Sequence, residues 1–117
     1  MNIEDFRNYC IAKPGVTESF PFDASTLVFK VMNKMFALAD VDHFEYINLK
    51  CLPERAIELR ELYPEIQPGY HMNKKHWNSV YVNGHLSQKF IKELIDHSYD
   101  LVVASLPGRL KKELNQL

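Results

Sequence analysis

The residues whose types could support chemistry or binding are concentrated in one stretch, PGYHMNKKHWNSV, which runs from Pro68 to Val80. It carries two histidines, two lysines, two asparagines, a tyrosine and a tryptophan. Histidines can ligate a metal or carry protons, whereas lysines beside aromatic rings are typical of phosphate contact combined with base stacking. The spacing of these residues, rather than their types, has to distinguish the possible chemistries.

The spacing of the histidines does not favour a metal site. His71 and His76 are five residues apart, so they would point to opposite faces of a continuous strand and could meet only across a hairpin. A zinc site needs three or four convergent ligands, and the chain has no H-E-x-x-H motif and no cysteine pair. We therefore predict no metal and no cofactor. A small-ligand or metal site formed by His71, His76 and Asp96 is kept as a minor alternative.

Catalytic motifs are also missing from the sequence. Neither the nucleophile motif G-x-S-x-G nor the phosphate-binding motif G-x-G-x-x-G occurs. Ser98 directly follows His97, but neighbouring residues in a helix do not face each other. The sequence therefore predicts a protein that is not an enzyme.

The lysines of the same stretch fit nucleic-acid binding better than the histidines fit catalysis. Lys74 and Lys75 are predicted at the tip of a hairpin whose base is anchored by Trp77. Two simpler interpretations stay open, because lysines also discourage edge-to-edge strand pairing and Asn73 and Asn78 can bond the backbone of a turn. The predicted nucleic-acid-binding residues are His71, Asn73, Lys74, Lys75, His76, Trp77, Lys30 and Lys50.

Hydrophobic periodicity and chain-breaking residues predict the elements that position this stretch. Three strands of alternating residues form a meander, a proline opens the second helix, and Ser87 caps a strongly amphipathic third helix. The predicted elements are a helix after Asn2, a loop or short irregular strand at Val16–Ser25, strands at Thr26–Met32, Met35–Val41 and Phe44–Cys51, a helix from Pro53, strands at Tyr70–Met72 and Trp77–Val82, a helix after Ser87 and a short helix at Arg109–Leu117.

Side-chain alternation assigns the two faces of the predicted sheet. Ile47, Leu49 and Cys51 point toward the helices, and Asn33-Lys34 is the predicted turn between the first two strands of the meander. The residues predicted on an exposed face, away from the helices, are Lys30, Tyr46, Asn48 and Lys50.

Two further expectations concern the helices. In the second helix, Ala56, Ile57 and Leu62 are predicted to face the core. In the third helix, polar residues occupy the middle, where aspartate and serine are mediocre helix formers, so a tertiary role is expected. Asp96 or Asp100 is predicted to pair with a histidine or lysine of the hairpin.

These elements predict one α+β domain over residues 1–117, with an antiparallel sheet of about five strands and helices packed on one face. The predicted order is α-β-β-β-α-β-β-α, with a small helix appended. The formal net charge of -1 gives no global attraction to nucleic acid, so any such binding needs a local patch. Cys10 and Cys51 are expected to be reduced and buried, and the absence of a signal peptide or membrane span predicts a cytoplasmic protein.

Three segments together resemble the MmcQ/YjbR family, and the resemblance covers nearly the whole chain. They are KPGVTESFPFD, PGYHMNKKHWNSV and LIDHSYDLVVASLP, which begin at Lys13, Pro68 and Leu94. The positions that match the hallmark of the family are His71, Asn73, Lys74, His76 and Trp77, with Ser98 and Tyr99 from the later motif. The resemblance implies a bacterial protein with a CyaY-like α+β fold and a sheet similar to a double-wing DNA-binding domain.

Residues and resemblance together give two functional expectations. The first is binding of double-stranded DNA, mainly through phosphate contacts at the hairpin and the exposed sheet face. The second is a module that binds a protein or peptide without enzymatic activity, which should expose an apolar patch beside the sheet. No membrane partner is expected.

Overall fold

All four helices pack against one face of a six-stranded antiparallel sheet, which confirms the predicted α+β class. The computed structural model describes residues 1–117. The elements are α1 (Ile3–Ile11), β1 (Val16–Ser19), β2 (Thr26–Val31), β3 (Lys34–Asp40), β4 (Tyr46–Lys50), α2 (Pro53–Leu62), β5 (Ile66–Pro68), β6 (Trp77–Tyr81), α3 (Gln88–Ser105) and α4 (Gly108–Asn115). The strands lie in the order β1-β2-β3-β4-β6-β5.

The sheet has six strands rather than the predicted five because β1 pairs with β2. Val16 lies opposite Val31, and Ser19 lies opposite Val28. The sequence leaves this segment open because its four residues alternate only weakly in polarity, and its pairing with a neighbour is a tertiary matter. The rest of the predicted element order is confirmed, but the strand after α2 is Ile66–Pro68 and not the predicted Tyr70–Met72.

One continuous core fills the space between the sheet and the helices. It contains 22 buried residues contributed by every helix and by strands β2 to β6. Phe6 of α1 packs edge-on against Phe29 of β2, with ring centroids 5.4 Å apart. Cys10 and Cys51 are free and buried, as predicted, and burial raises the pKa of both thiols. Both cysteines therefore act as small hydrophobic residues.

The turn between β2 and β3 lies one residue earlier than predicted. Met32 and Asn33 form it, both with positive φ (48° and 69°), and Val31 pairs with Lys34. A two-residue hairpin of this kind matches the right-handed twist of the strands only when both turn residues adopt positive φ. The pairing shifts register after Phe29, so the alternation of residues alone could not locate the turn.

The orientation of α2 differs from the prediction. Ala56 and Leu59 are buried, whereas Ile57 and Leu62 are 54% and 70% exposed. The cause is polar, because Asn78 of β6 donates a side-chain hydrogen bond to the carbonyl oxygen of Ala56 at 3.4 Å. This contact holds the side of α2 that carries Ala56 and Leu59 against the sheet.

The polar middle of α3 is used in tertiary contacts, as predicted, but with different partners. The Oδ1 atom of Asp96 accepts a hydrogen bond from the Tyr9 hydroxyl at 2.7 Å and forms an ion pair with Lys13. Neither Asp96 nor Asp100 pairs with the hairpin, so that prediction is wrong. Burial, followed by the hydrogen bond to Asp96, raises the pKa of Tyr9 to about 12. These contacts tie α1 to α3 on the helical side of the molecule.

Ser98 of α3 links two strands at the point where their pairing ends. Its hydroxyl donates to the carbonyl oxygen of Phe36 in β3 and accepts from the amide of Lys50 in β4 at 2.8 Å. The last paired residues of these strands are Ala37 and Leu49, so Ser98 takes the place of the next rung of the ladder. It is fully buried.

None of the four helices combines the length and the apolar composition that crossing a membrane requires.

Candidate functional site

The sheet face opposite the helices carries a second, smaller apolar cluster. Val28, Leu38 and Trp77 form it, with Met35 and Met72 packed against them. Trp77 is only 7% exposed, so the predicted role of this residue as an anchor at the base of the hairpin is confirmed. A buried indole leaves little surface on which a base could stack.

The segment Gly69–His76, called the β5–β6 loop here, folds back over this face instead of extending the hairpin. Two polar side chains of the sheet hold its backbone, because Ser79 Oγ accepts from the Tyr70 amide at 2.9 Å and Asn48 Nδ2 donates to the Tyr70 carbonyl at 3.2 Å. The strand predicted at Tyr70–Met72 is therefore a turn, with His71 at a φ of 59°. A Cβ on Gly69 would lie 2.8 Å from Trp77 Cβ, so this close approach requires glycine.

Asn73 fixes the second half of the loop. Its Oδ1 atom accepts from the amides of Lys75 at 3.0 Å and His76 at 3.3 Å. Its carbonyl oxygen accepts from the Trp77 amide at 3.0 Å. The interpretation of Asn73 as a residue that satisfies the backbone of the turn is confirmed, and Lys75 is thereby held at the exposed surface.

Arg60 of α2, which sequence reasoning missed, attaches the loop to the helical layer. Its Nε donates to Asn78 Oδ1 at 2.7 Å, and its Nη2 donates to the carbonyl oxygens of Trp77 at 3.3 Å and of Lys74. The planar guanidinium is suited to reach these three acceptors together, whereas a lysine ammonium is not. Nothing in the sequence signals this role, because Arg60 looks like an ordinary surface residue of a helix.

Replacing Arg60 by lysine should therefore destabilise the protein by about 2 kcal/mol, the loss expected when charged hydrogen bonds to partly buried acceptors are broken. Hydrogen exchange should accelerate in residues 69–77 before it accelerates elsewhere. Urea denaturation and amide exchange measure both effects, and Arg55→Lys on the same helix is the matched control. Equal effects of the two substitutions would contradict the role of Arg60.

Strand register brings the lysines of distant segments to one end of the sheet. Lys50 lies opposite Trp77, where the β5–β6 loop enters β6, and Lys30 lies opposite Met35 beside the β2–β3 turn. Ser98 joins Phe36 to Lys50, which places the turn and the end of β4 together. We call this region the lysine end, and its residues are Lys30, Lys34, Lys50, Lys74 and Lys75.

Most charges of the lysine end are not neutralised by the protein itself. The molecule has two ion pairs, Arg7–Glu18 and Lys13–Asp96, and neither involves these lysines. Lys74 Nζ donates to the carbonyl oxygen of Gly69 at 3.0 Å, and the turn residues 32–35 and the β5–β6 loop contain no carboxylate. Lys34, which sequence reasoning did not assign, adds an exposed charge where β3 begins.

The carboxylates of Asp23 and Asp40 lie at the opposite end of the same face. Asp40 lies opposite Thr26, and Tyr46 begins β4 beside it. Tyr46 and Lys50 are four residue steps apart along β4, which corresponds to roughly 13 Å. The sheet face is therefore positively charged at one end of its strands and negatively charged at the other, although the net charge of the chain is only -1.

Two further residues of the sequence-based predictions are Asn48, on the sheet face, and His71, in the β5–β6 loop. Asn48 is buried, so it supports the loop and does not form part of an exposed face as predicted. The His71 ring packs against the Tyr70 ring at a tilted angle, with ring centroids 4.1 Å apart, on the side of the sheet away from Asp96. The alternative site of His71, His76 and Asp96 is therefore not assembled, and no group of three or more potential ligands lies close enough to hold a metal ion.

A groove of about 740 Å³ lies on this face, between the loop that precedes β2 and the β5–β6 loop. Phe22 forms one wall, Tyr70 and Met72 form the other, and Tyr46 lies in the floor. Tyr46 contacts Tyr70 at a centroid distance of 6.2 Å. A groove of this size falls within the range of small-molecule sites.

Comparison with known proteins identifies the relatives of this chain. The YjbR family model matches residues 11–101. The uncharacterised Escherichia coli proteins YbdF (strain O157:H7) and YjbR (strain K12) are 38% and 37% identical to it, over 95% and 100% of this chain and 92% and 100% of theirs. The crystal structure of Deinococcus radiodurans protein DR2400 superimposes with a TM-score of 0.90 at 41% identity, covering 97% of this chain and 88% of that one.

Proposed function

Because this chain belongs to the YjbR family and its lysines meet at one end of the sheet, we propose that it binds double-stranded DNA through the lysine end. The contacts are made mainly with phosphates, and the protein works in the cytoplasm, where bacterial DNA is accessible. The observation that carries the proposal is the strand register, which places Lys50 opposite Trp77 at the end of the β5–β6 loop and Lys30 opposite Met35 at the same end of the sheet.

The geometry supports phosphate contact more than base recognition. Lys75 is exposed. Lys30 and Lys50 are half-buried, because their aliphatic stems pack on the protein while their ammonium groups reach water. Trp77 and Asn48, which could have contacted bases, are buried instead. Contacts of this kind position a protein on a duplex but carry little sequence information.

Binding should therefore depend steeply on salt and weakly on sequence. With three or four phosphates neutralised, affinity should fall with about the third power of the salt concentration, or roughly 60-fold between 50 and 200 mM. Fluorescence anisotropy with two labelled duplexes of unrelated sequence measures both properties. Binding that is undetectable at 50 mM salt, or insensitive to salt, would refute the proposal.

A specific observation favours recognition of a protein or peptide as a second candidate function. Four aromatic residues are exposed; Phe22 and Tyr70 line the groove, Tyr81 packs against Tyr46 in its floor, and Phe20 lies in the loop before β2. Exposed apolar patches of this kind often mark interaction sites. Light scattering after size-exclusion chromatography tests whether a second copy covers them, and a monomer at all concentrations would remove self-association.

A further inference from the structure

The groove described above combines aromatic walls with negative charge at one end. Tyr46 in its floor contacts Tyr70 at 6.2 Å and Tyr81 at 5.2 Å between ring centroids. Phe22, 65% exposed, faces this group from the loop before β2, and Asp40 closes the end away from the lysines. Rings attract cations over their faces, and this attraction is stronger where water is partly excluded.

We propose that the groove binds a small organic cation with an alkylated ammonium group. Such a cation is weakly hydrated and can leave water for a largely apolar groove, whereas a primary ammonium is strongly hydrated. Met35 and Met72 supply polarisable surface beside the rings. The inference goes beyond DNA binding and does not depend on it, because the charge that attracts the cation is that of Asp40, at the end of the sheet face away from the lysines.

Two carboxylates line the groove, and Asp40 is the one available to a cation, because both oxygens of Asp23 accept hydrogen bonds from Ser25 and Thr26. The Oδ1 atom of Asp40 accepts from the amides of Asp42 at 2.8 Å and His43 at 3.1 Å, and Oδ2 makes no hydrogen bond within the protein. The pKa of Tyr46 is raised, first by burial, then by Tyr81 and Tyr70, and further by the carboxylates of Asp40 and Glu45. Burial is the main cause of this shift, and only its smallest contributions, those of Asp40 and Glu45, reflect the negative potential that a cation needs.

Choline and its uncharged isostere 3,3-dimethylbutan-1-ol are the matched probes. The chain has four methionines, so methyl-labelled protein reports on both sides of the molecule in one spectrum. Met35 and Met72 line the groove, whereas Met1 and Met32 pack against the core on the helical side. Choline should shift the Met35 and Met72 methyl signals saturably, leave the other two unchanged, and bind at least about 5-fold more tightly than the isostere.

Asp40→Asn should weaken choline binding by about 5-fold, because it removes the charge but keeps the oxygen that accepts the two amides. Asp42→Asn removes the same charge from an exposed position outside the groove and should leave binding unchanged. Equal affinity for choline and the isostere, equal effects of the two substitutions, or no saturable shift at Met35 and Met72 would overturn the proposal.

Discussion

Ser98→Ala should lower the free energy of unfolding by about 3 kcal/mol, although it removes a single oxygen atom. The hydroxyl of this fully buried residue donates a hydrogen bond to the carbonyl oxygen of Phe36 and accepts one from the amide of Lys50. Alanine leaves both backbone groups without a partner in the interior, and each unsatisfied group costs about 1–3 kcal/mol. That loss is a large part of the 5–15 kcal/mol by which domains are usually stable.

Urea denaturation measures the effect, and Ser105→Ala supplies the control. Ser105 lies on the same helix, but its hydroxyl only bonds the carbonyl oxygen of Val102 within the last turn, so its loss should cost less than about 0.5 kcal/mol. The amide of Lys50 should also exchange faster in Ser98→Ala. A loss below about 1 kcal/mol at Ser98 would show that the strands do not depend on this contact.

Removing two charges from the β5–β6 loop should have the largest effect on DNA binding. The double substitution Lys74→Gln and Lys75→Gln should lower affinity by a factor on the order of 50 at 0.1 M salt, because each lost phosphate contact removes about one counterion from the salt dependence. The slope of log affinity against log salt should become shallower by about 2. Glutamine keeps much of the aliphatic stem of both residues and gives up only one contact within the loop, the hydrogen bond from Lys74 Nζ to the Gly69 carbonyl oxygen.

A matched variant separates this effect from that of net charge. Lys89→Gln with Lys92→Gln removes the same two charges from the first turns of α3, on the helical side of the molecule. It should change affinity by less than about 2-fold, which is the effect of a distant, screened charge. Similar losses in the two variants would mean that the lysine end is not the contact surface.

The fold is predicted well from the sequence where one signal dominates. The faces of β4 and the cap of α3 at Ser87 follow from alternation and from residue preference, and both are confirmed. The errors arise where polar tertiary contacts compete with hydrophobic pattern. Ile57 looks apolar enough to be buried, but the contacts of Asn78 and Arg60 turn α2 so that Ile57 faces solvent.

The candidate site shows the same limit more strongly. The stretch around Lys74 was identified from its composition, but the fold of the β5–β6 loop depends on Ser79 and Asn48, which hold the Tyr70 backbone from separate strands. A side chain that hydrogen-bonds the backbone of a loop, as a neighbouring strand otherwise would, leaves no periodic hydrophobic pattern in the sequence. The separation of the lysine end from the Asp40 end also depends on register, which only strand pairing fixes.

Amide chemical-shift mapping with a short duplex at low salt shows whether the lysine end is the surface that meets DNA. We expect saturable shifts at residues 30–35, at Lys50 and in the β5–β6 loop, which reverse when salt is raised to about 0.5 M. The amide signals of α1 and of the first turns of α3 should not move. Shifts confined to those helices, or no shifts at all, would exclude the lysine end as the DNA-contact surface.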